Sequence, residues 1–375
     1  MIYLDNSATT YPKPKELYEA LDYANRNLAF NAGRGSYKEA TDAAKIIDDC
    51  RKAVSLLAQK SQLDVAFLSS ATESLNLIIN GLDLNPSDVI YISPFEHNAI
   101  VRPLLNLKDK IGFELLVIPF NSKTWDFDQE KLEDMFSIKR PKAVFLSQIS
   151  NVTGYILPYK EIFKLAKKYN SVTVLDSSQS YGVLNPDLSL VDYCVFAGHK
   201  SLYASFGVAG IISSYFSKLS ISKSGGTGSD SLNYKMPESG HGRLESGSPN
   251  VIAIYGLLKS CEWLKNTDVF NHEKRLTDYL INRLEEIDKI TIYLPTNKDN
   301  ILGIVSFNVE GYLSDDVASI LYDEFNIAVR SGYHCSPMVH EFIDSLRFKG
   351  TVRASVGAFN TKEDIDTLVN ALKTL

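Results

Sequence analysis

Short apolar runs rich in β-branched residues alternate along this chain with segments of helical period, the pattern of helices covering a mainly parallel sheet. Residues 65–68, 89–92, 115–118, 143–146, 172–175, 193–196 and 207–212 predict strands, with helices between most of them. Over 15–25, Leu17, Ala20, Leu21 and Ala24 recur at spacings of three and four, so an amphipathic helix precedes the first strand. Residues 251–264 and 268–287 read as long helices, 304–309 as a strand and 315–324 as a helix. The polar, glycine-rich stretch 222–248 has too few apolar residues to build core and is expected to be a long functional loop.

This pattern implies an α/β protein, with a large domain built on a mainly parallel sheet and a smaller α+β C-terminal domain. A length of 375 residues exceeds the size at which one core stops growing, and an apolar fraction of 45% supports two. The expected division is 1–15 as an N-terminal segment packing with the small domain, 16–254 as the large domain and 255–375 as the small domain. A net charge of −6 with no basic stripe argues against a nucleic-acid partner. The N-terminus turns polar by Asp5 and lacks both a positively charged start and a long apolar run. Neither a secretory signal nor a membrane anchor is expected, and the expected location is the cytoplasm. Cys50, Cys194, Cys261 and Cys335 are far apart and form no CxxC pair, which argues against a disulfide framework or a structural metal site. The first three lie in apolar or helical stretches and read as core.

Ligands of open parallel sheets gather at the carboxyl ends of the strands. Thr72, His97, Asn151, Asp176 and Lys200 each follow a predicted strand, so polar residues crowd one edge. Lys200, in AGHKSLY, lies 24 residues after Asp176 and 21 after Gln179 in VLDSSQS. A lysine beside a histidine, downstream of an acid that ends an apolar strand, can hold pyridoxal 5'-phosphate covalently and tune its ring; a solvated His–Lys pair is the ordinary alternative. A carboxylate ending the run VTVL is costly to bury without a cation such as a protonated pyridine, although Asp176 also reads as a helix N-cap. Ala71 and Thr72 in SSATESLNL open a helix whose N–H groups can hold a phosphate or simply be capped. His97 in PFEHNAI can lie over a pyridine ring or be a surface histidine.

Taken together, these segments resemble the cysteine desulfurases among the class V, fold-type I pyridoxal-phosphate enzymes, within the SufS-like group that also includes selenocysteine lyases. YLDNSATTYPKP resembles the family's opening, ATES its phosphate turn, EHNA the region of its ring-stacking histidine and SNVTG its substrate asparagine. DSSQ, GHK, RSGYHC and VRAS complete an ordered set of eight motifs spanning nearly the whole chain. The resemblance implies that Lys200 carries the cofactor, Asp176 partners its pyridine nitrogen, Gln179 its phenolic oxygen, and His97 stacks on its ring. It places Ala71, Thr72 and His199 at the phosphate, and Asn151, Arg353 and Arg330 at the substrate. Ser248 in ESGSPN resembles a position that reaches the neighbouring subunit's phosphate, which implies a homodimer with shared active sites.

Cys335 decides the reaction type. A thiol attacks well as thiolate, and Arg330 and His334 are the neighbours expected to favour that form. The resemblance implies conversion of L-cysteine to L-alanine, a persulfide on Cys335 and sulfur transfer to an acceptor protein. The RxGxHC form and the 18-residue separation of Cys335 from Arg353 resemble the group with a short, ordered cysteine loop. Ala197 departs from the family's frequent Ser or Thr and removes one phosphate hydroxyl, Ser248 replaces threonine, and Ser7 replaces alanine. A lyase acting on L-selenocysteine is the nearest alternative, and a class V aminotransferase would need no cysteine in this loop. Outside the family, His241, His334, Cys335 and His340 would form a metal site only by converging.

Overall fold

The computed structural model describes residues 1–32, 35–58, 63–228 and 232–375, so residues 229–231 of the expected long loop lie outside the described residues. In chain order the elements are β1 (Ile2–Tyr3), α1 (Lys15–Asn27), α2 (Lys38–Leu57), β2 (Asp64–Leu68), α3 (Ala71–Gly81), β3 (Val89–Ile92), α4 (Asn98–Ile111) and β4 (Glu114–Val117). Then follow α5 (Gln129–Ile138), β5 (Ala143–Ser147), α6 (Tyr159–Lys167), β6 (Val172–Asp176), β7 (Tyr193–Ala197), β8 (Ala209–Ser213), α7 (Val251–Lys265) and α8 (Val269–Leu284). The chain ends with β9 (Ile290–Ile292), β10 (Ile304–Val309), α9 (Ser314–Phe325), β11 (Ile327–Ala328), β12 (Arg330–Gly332), α10 (Pro337–Phe342), β13 (Thr351–Ser355) and α11 (Lys362–Leu372).

The large sheet has the order β2-β8-β7-β6-β5-β3-β4, and only β8 runs against its neighbours. Its inner strands read as continuous apolar runs because both faces are covered, whereas edge strand β4 is only half-buried, with Val117 exposed. Successive side chains alternate between the faces: Val144, Leu146, Cys194 and Phe196 enter the layer shared with α2, α5, α6 and α7, whereas Ala143, Phe145, Tyr193 and Val195 pack against α3 and α4. With all but one strand parallel, the ends of β2, β3, β5, β6 and β7 open on one rim.

The domain boundary expected at 254/255 falls inside α7, which packs on α1 and α2. Gly256 permits that approach, since a Cβ there would sit 2.9 Å from side-chain carbons of both Leu17 and Leu21. A second, antiparallel sheet, β12-β13-β10-β9, joins α8, α9 and α11. The N-terminal segment bridges the two halves: β1 pairs with β11, while Thr9 and Lys13 donate to the His199 carbonyl at 2.9 and 2.7 Å. Cys50, Cys194 and Cys261 are buried and Cys335 is exposed. Among the described residues no helix is long and apolar enough to cross a membrane.

Candidate active site

The rim holds a cavity lined by residues at or just beyond the ends of β2, β3, β5, β6 and β7. After β2, the Ser70 hydroxyl accepts from Glu73 N at 3.1 Å and caps α3, which leaves Ala71 and Thr72 in the first turn on the cavity wall. First-turn N–H groups lack intrahelical acceptors, so capping and anion binding coexist here. After β3, His97 caps α4, its Nδ1 accepting from Ala99 N at 3.0 Å; the ring proton therefore belongs on Nε2. Burial, reinforced by the nearby Lys200, pulls the His97 pKa down to about 4.

β6 ends in Asp176, whose Oδ1 accepts from Ser178 N at 2.9 Å and from the Ser178 hydroxyl. β7 leads through Ala197 and His199 to Lys200, and all three line the cavity with Asp176 and Gln179. Burial lowers the Lys200 pKa; Asp176 opposes this, whereas Arg353 and Arg330 add to it. His199 is depressed to about 3 by burial and by Lys200 and Lys13, and its buried Nδ1 has no partner among the described residues. The Gln179 amide donates to the Ser7 carbonyl at 2.9 Å.

Cys335 arrives from the other sheet, on a turn between β12 and α10 where His334 and Cys335 both take left-handed φ values of 47° and 58°. Such a conformation is unfavourable for residues with a Cβ and persists only where neighbours fix it. Asn98 N at the start of α4 donates to the Cys335 carbonyl at 2.7 Å, and Asn151 Nδ2 to the His334 carbonyl at 2.7 Å. Buried Arg353 donates from Nη1 to the Asn151 carbonyl and from Nη2 to Asp5, both at 2.8 Å, while its Nε has no partner among the described residues. Arg330 stands opposite Arg353 across the β12–β13 ladder.

His334, expected as a histidine near the thiol, is buried with Nε2 3.0 Å from the Thr351 carbonyl, and burial keeps its pKa well below the usual value, so it supplies no positive charge there. Lys200 and Arg353 are both cations whose charged form Cys335 favours electrostatically. Ser248 lies away from this cavity and lines a separate groove beside Arg51 and Glu245. The sequence reading missed Asp5, Ser178 and Ser336, and also Glu96, which is fully buried behind the wall and accepts from Ser147 N at 2.9 Å. Glu96 had a signal, a charged residue four positions past the apolar β3 segment; Asp5 and Ser336 reveal themselves only through long-range contacts. Among the described residues no three potential metal ligands cluster.

An α/β sheet with this rim chemistry belongs to a known group. The family model described as aminotransferase class-V matches residues 2–368, and the chain belongs to that family. Within it, the chain is similar to proteins named for cysteine desulfuration. A probable cysteine desulfurase of Pyrococcus abyssi is 31% identical over 386 residues, covering 100% of this chain and 94% of the relative. A cysteine desulfurase of Shigella sonnei is 29% identical over 392 residues, covering 100% and 93%. The apo structure of a cysteine desulfurase from Thermococcus onnurineus has a TM-score of 0.91 at 29% identity, covering 100% of this chain and 95% of that one. An Escherichia coli cysteine desulfurase in an S-sulfonic acid form has a TM-score of 0.86 at 26% identity, covering 99% and 94%.

Proposed function

We propose that the chain is a pyridoxal-phosphate-dependent cysteine desulfurase that converts L-cysteine to L-alanine and leaves the sulfur as a persulfide on Cys335. The observation that carries this reading is the meeting of the Lys200 and Asp176 rim with an exposed cysteine, whose turn is hydrogen-bonded to the helix that His97 caps. Relatives named for cysteine favour it over a selenocysteine lyase.

The residues fit the cofactor. Lys200 offers an amine whose pKa is lowered by burial, Asp176 keeps Oδ2 free of partners among the described residues, and His199 Nδ1 is a buried polar atom awaiting one. Ala71 and Thr72 with His199 would hold the phosphate, Asp176 the pyridine nitrogen, Gln179 the phenolic oxygen, and His97 the ring face. When bound, pyridoxal phosphate supplies an electron sink for charge developing at the substrate α-carbon.

The protein's own groups account for the remainder. Two arginines opposite one another are unfavourable without an anion, and Asp5 answers only part of that charge. The substrate carboxylate completes the balance at Arg353, Asn151 and Arg330. Lys200 Nζ, as the neutral amine, takes the proton from the substrate α-carbon. Cys335 Sγ attacks the substrate sulfur: an S–S bond forms, the C–S bond breaks, the β-carbon is reduced and protonated to the methyl of alanine, and the Cys335 sulfur is oxidised to the persulfide. An acceptor protein's thiol then removes the terminal sulfur. The position of Ser248 outside the cavity supports a homodimer in which it serves the neighbouring site.

Alanine, sulfide and selenide released from L-cysteine and L-selenocysteine by wild type and Cys335→Ser test this reading. Cys335→Ser is expected to lose cysteine turnover while retaining the cofactor chromophore. Undiminished cysteine turnover would overturn the role of the thiol.

A further inference from the structure

One side chain touches both the proposed carboxylate site and the sulfur-bearing turn. Asn151 lines the cavity, its backbone carbonyl accepts from Arg353, and its amide spans the turn. Nδ2 donates to the His334 carbonyl at 2.7 Å, and Oδ1 accepts from the Ser336 hydroxyl at 2.7 Å. These two partners flank Cys335 on either side. Ser336 is wholly buried and Asn151 is 7% exposed, so bulk water cannot replace a lost partner.

An amide has two nearly isosteric ends, one accepting and one donating, and only its partners decide which way it faces. With Ser336 donating to Oδ1, the second Nδ2 hydrogen, which has no acceptor among the described residues, is left for the cavity. Arg353, bonded through Nη1 to the backbone carbonyl of the same residue, has in Nε a buried donor that is also without an acceptor among the described residues. Two unsatisfied donors suit an acceptor-only carboxylate. A flipped amide would present its oxygen to that carboxylate and repel it, and would also set Oδ1 against the His334 carbonyl.

We propose that Ser336 is a positioning residue for the amino-acid substrate: the acceptor-only His334 carbonyl fixes which end of the Asn151 amide is the donor, and the Ser336 hydroxyl anchors the other end, holding the donor in place for the carboxylate and tying the Cys335 turn to the same side chain. This rests on the placement of the carboxylate at Asn151 and Arg353 given above. Ser336 touches neither substrate nor sulfur; it acts through Asn151.

The test uses holoenzyme carrying Ser336→Ala, Ser336→Thr, Asn151→Ala or the double change Asn151→Ala with Ser336→Ala. L-Alanine, a thiol-free ligand, is titrated against the cofactor absorbance, and kcat and KM are measured with L-cysteine. Loss of one hydrogen bond is expected to weaken L-alanine binding and raise KM by about three- to tenfold in Ser336→Ala, with kcat within about twofold. Ser336→Thr is expected to recover most of the loss, and Ser336→Ala to add nothing in the Asn151→Ala background. Unchanged L-alanine affinity in a cofactor-loaded Ser336→Ala, a fall in kcat alone, or additive effects in the double variant would each overturn the proposal. Should Ser336→Ala fail to retain cofactor, Ser336→Cys, which fills similar space with a much weaker donor, takes its place in the wild-type and Asn151→Ala backgrounds: unchanged L-alanine affinity in the first, or a loss of similar size in both, sinks the proposal. If wild type itself neither shows the chromophore nor binds L-alanine, the functional reading fails instead.

Discussion

Lys200 lines the rim cavity and Cys335 rides a turn hydrogen-bonded to the cavity wall, and the two are placed by different physics. Lys200 stands just beyond β7 in a sheet whose neighbouring strands end on the same rim, so its meeting with Asp176 and His97 follows from topology. Cys335 sits on a turn with two successive left-handed residues, held by Asn98 N and by Asn151, whose own carbonyl accepts from Arg353 of β13. The rim is therefore a property of the fold, whereas the turn depends on a few individual hydrogen bonds. Substitutions at the rim should remove a chemical function outright, and those around the turn should change its placement by degrees.

The largest break is at the rim. Lys200→Ala is expected to abolish the borohydride-fixable adduct at that position and to slow cysteine turnover by at least about 10²–10⁴-fold, the scale of a lost proton-transfer group. Retention of the adduct elsewhere with full turnover would remove Lys200 from the mechanism.

At the turn the expected change is graded. Asp5→Asn deprives buried Arg353 of its ion-pair partner. It is expected to raise KM for L-cysteine about tenfold while leaving the cofactor chromophore in place, as steady-state kinetics with absorbance spectra would show. An equal fall in kcat at constant KM would mean that Asp5 supports the chemistry rather than carboxylate recognition.

A third measurement probes the joint between the two regions. Tyr203, three residues beyond Lys200, donates to buried Glu273 on α8 at 2.8 Å and accepts from Ala358 N at 2.7 Å. Burial pushes the Glu273 carboxyl from 4.5 up to about 8. The native state thus binds more protons than the unfolded chain between these values, so this group's contribution is full below about pH 4.5 and is lost as pH rises through about 8. Glu273→Gln has no such loss, and wild type should fall relative to it by roughly 1–3 kcal/mol between pH 5 and 8.5 in denaturant titrations. A difference independent of pH would place the charge on Glu273 already in the native state.

The smallest effect returns to the rim. Ala197 lines the cavity without a hydroxyl. Ala197→Ser is expected to tighten cofactor binding about three- to tenfold, the worth of one added hydrogen bond, measured by fluorescence titration of the apoprotein. Weaker binding would indicate that the methyl group fills space the hydroxyl cannot.

Legibility in the sequence followed the same division. The strands of the large sheet were readable within a residue or two because apolar run length reports burial on both faces; even β8, expected from 207, starts at Ala209. The rim residues were readable because strand ends fix their positions. The short strands β1, β9, β11 and β12 were not, since segments of two or three residues carry no period and exist only by pairing. His334 read as a histidine near the thiol, and the bond that holds its ring in the core, to the Thr351 carbonyl, had no local signal. The bond from the Gln179 amide to the Ser7 carbonyl, which leaves one amide hydrogen over, was likewise invisible because its partners lie far apart in the chain.

Periodicity and order of residues by themselves determined a buried, nearly parallel sheet and the row of polar groups that must stand at its strand ends, because burial and the pleat are local consequences of composition. Tertiary structure alone decided that Asp5 would meet Arg353 across 348 positions of chain and that Ser336 would face Asn151 across 185. Hydrogen bonds between residues so far apart leave no local pattern, and they form only once packing has brought both partners out of water.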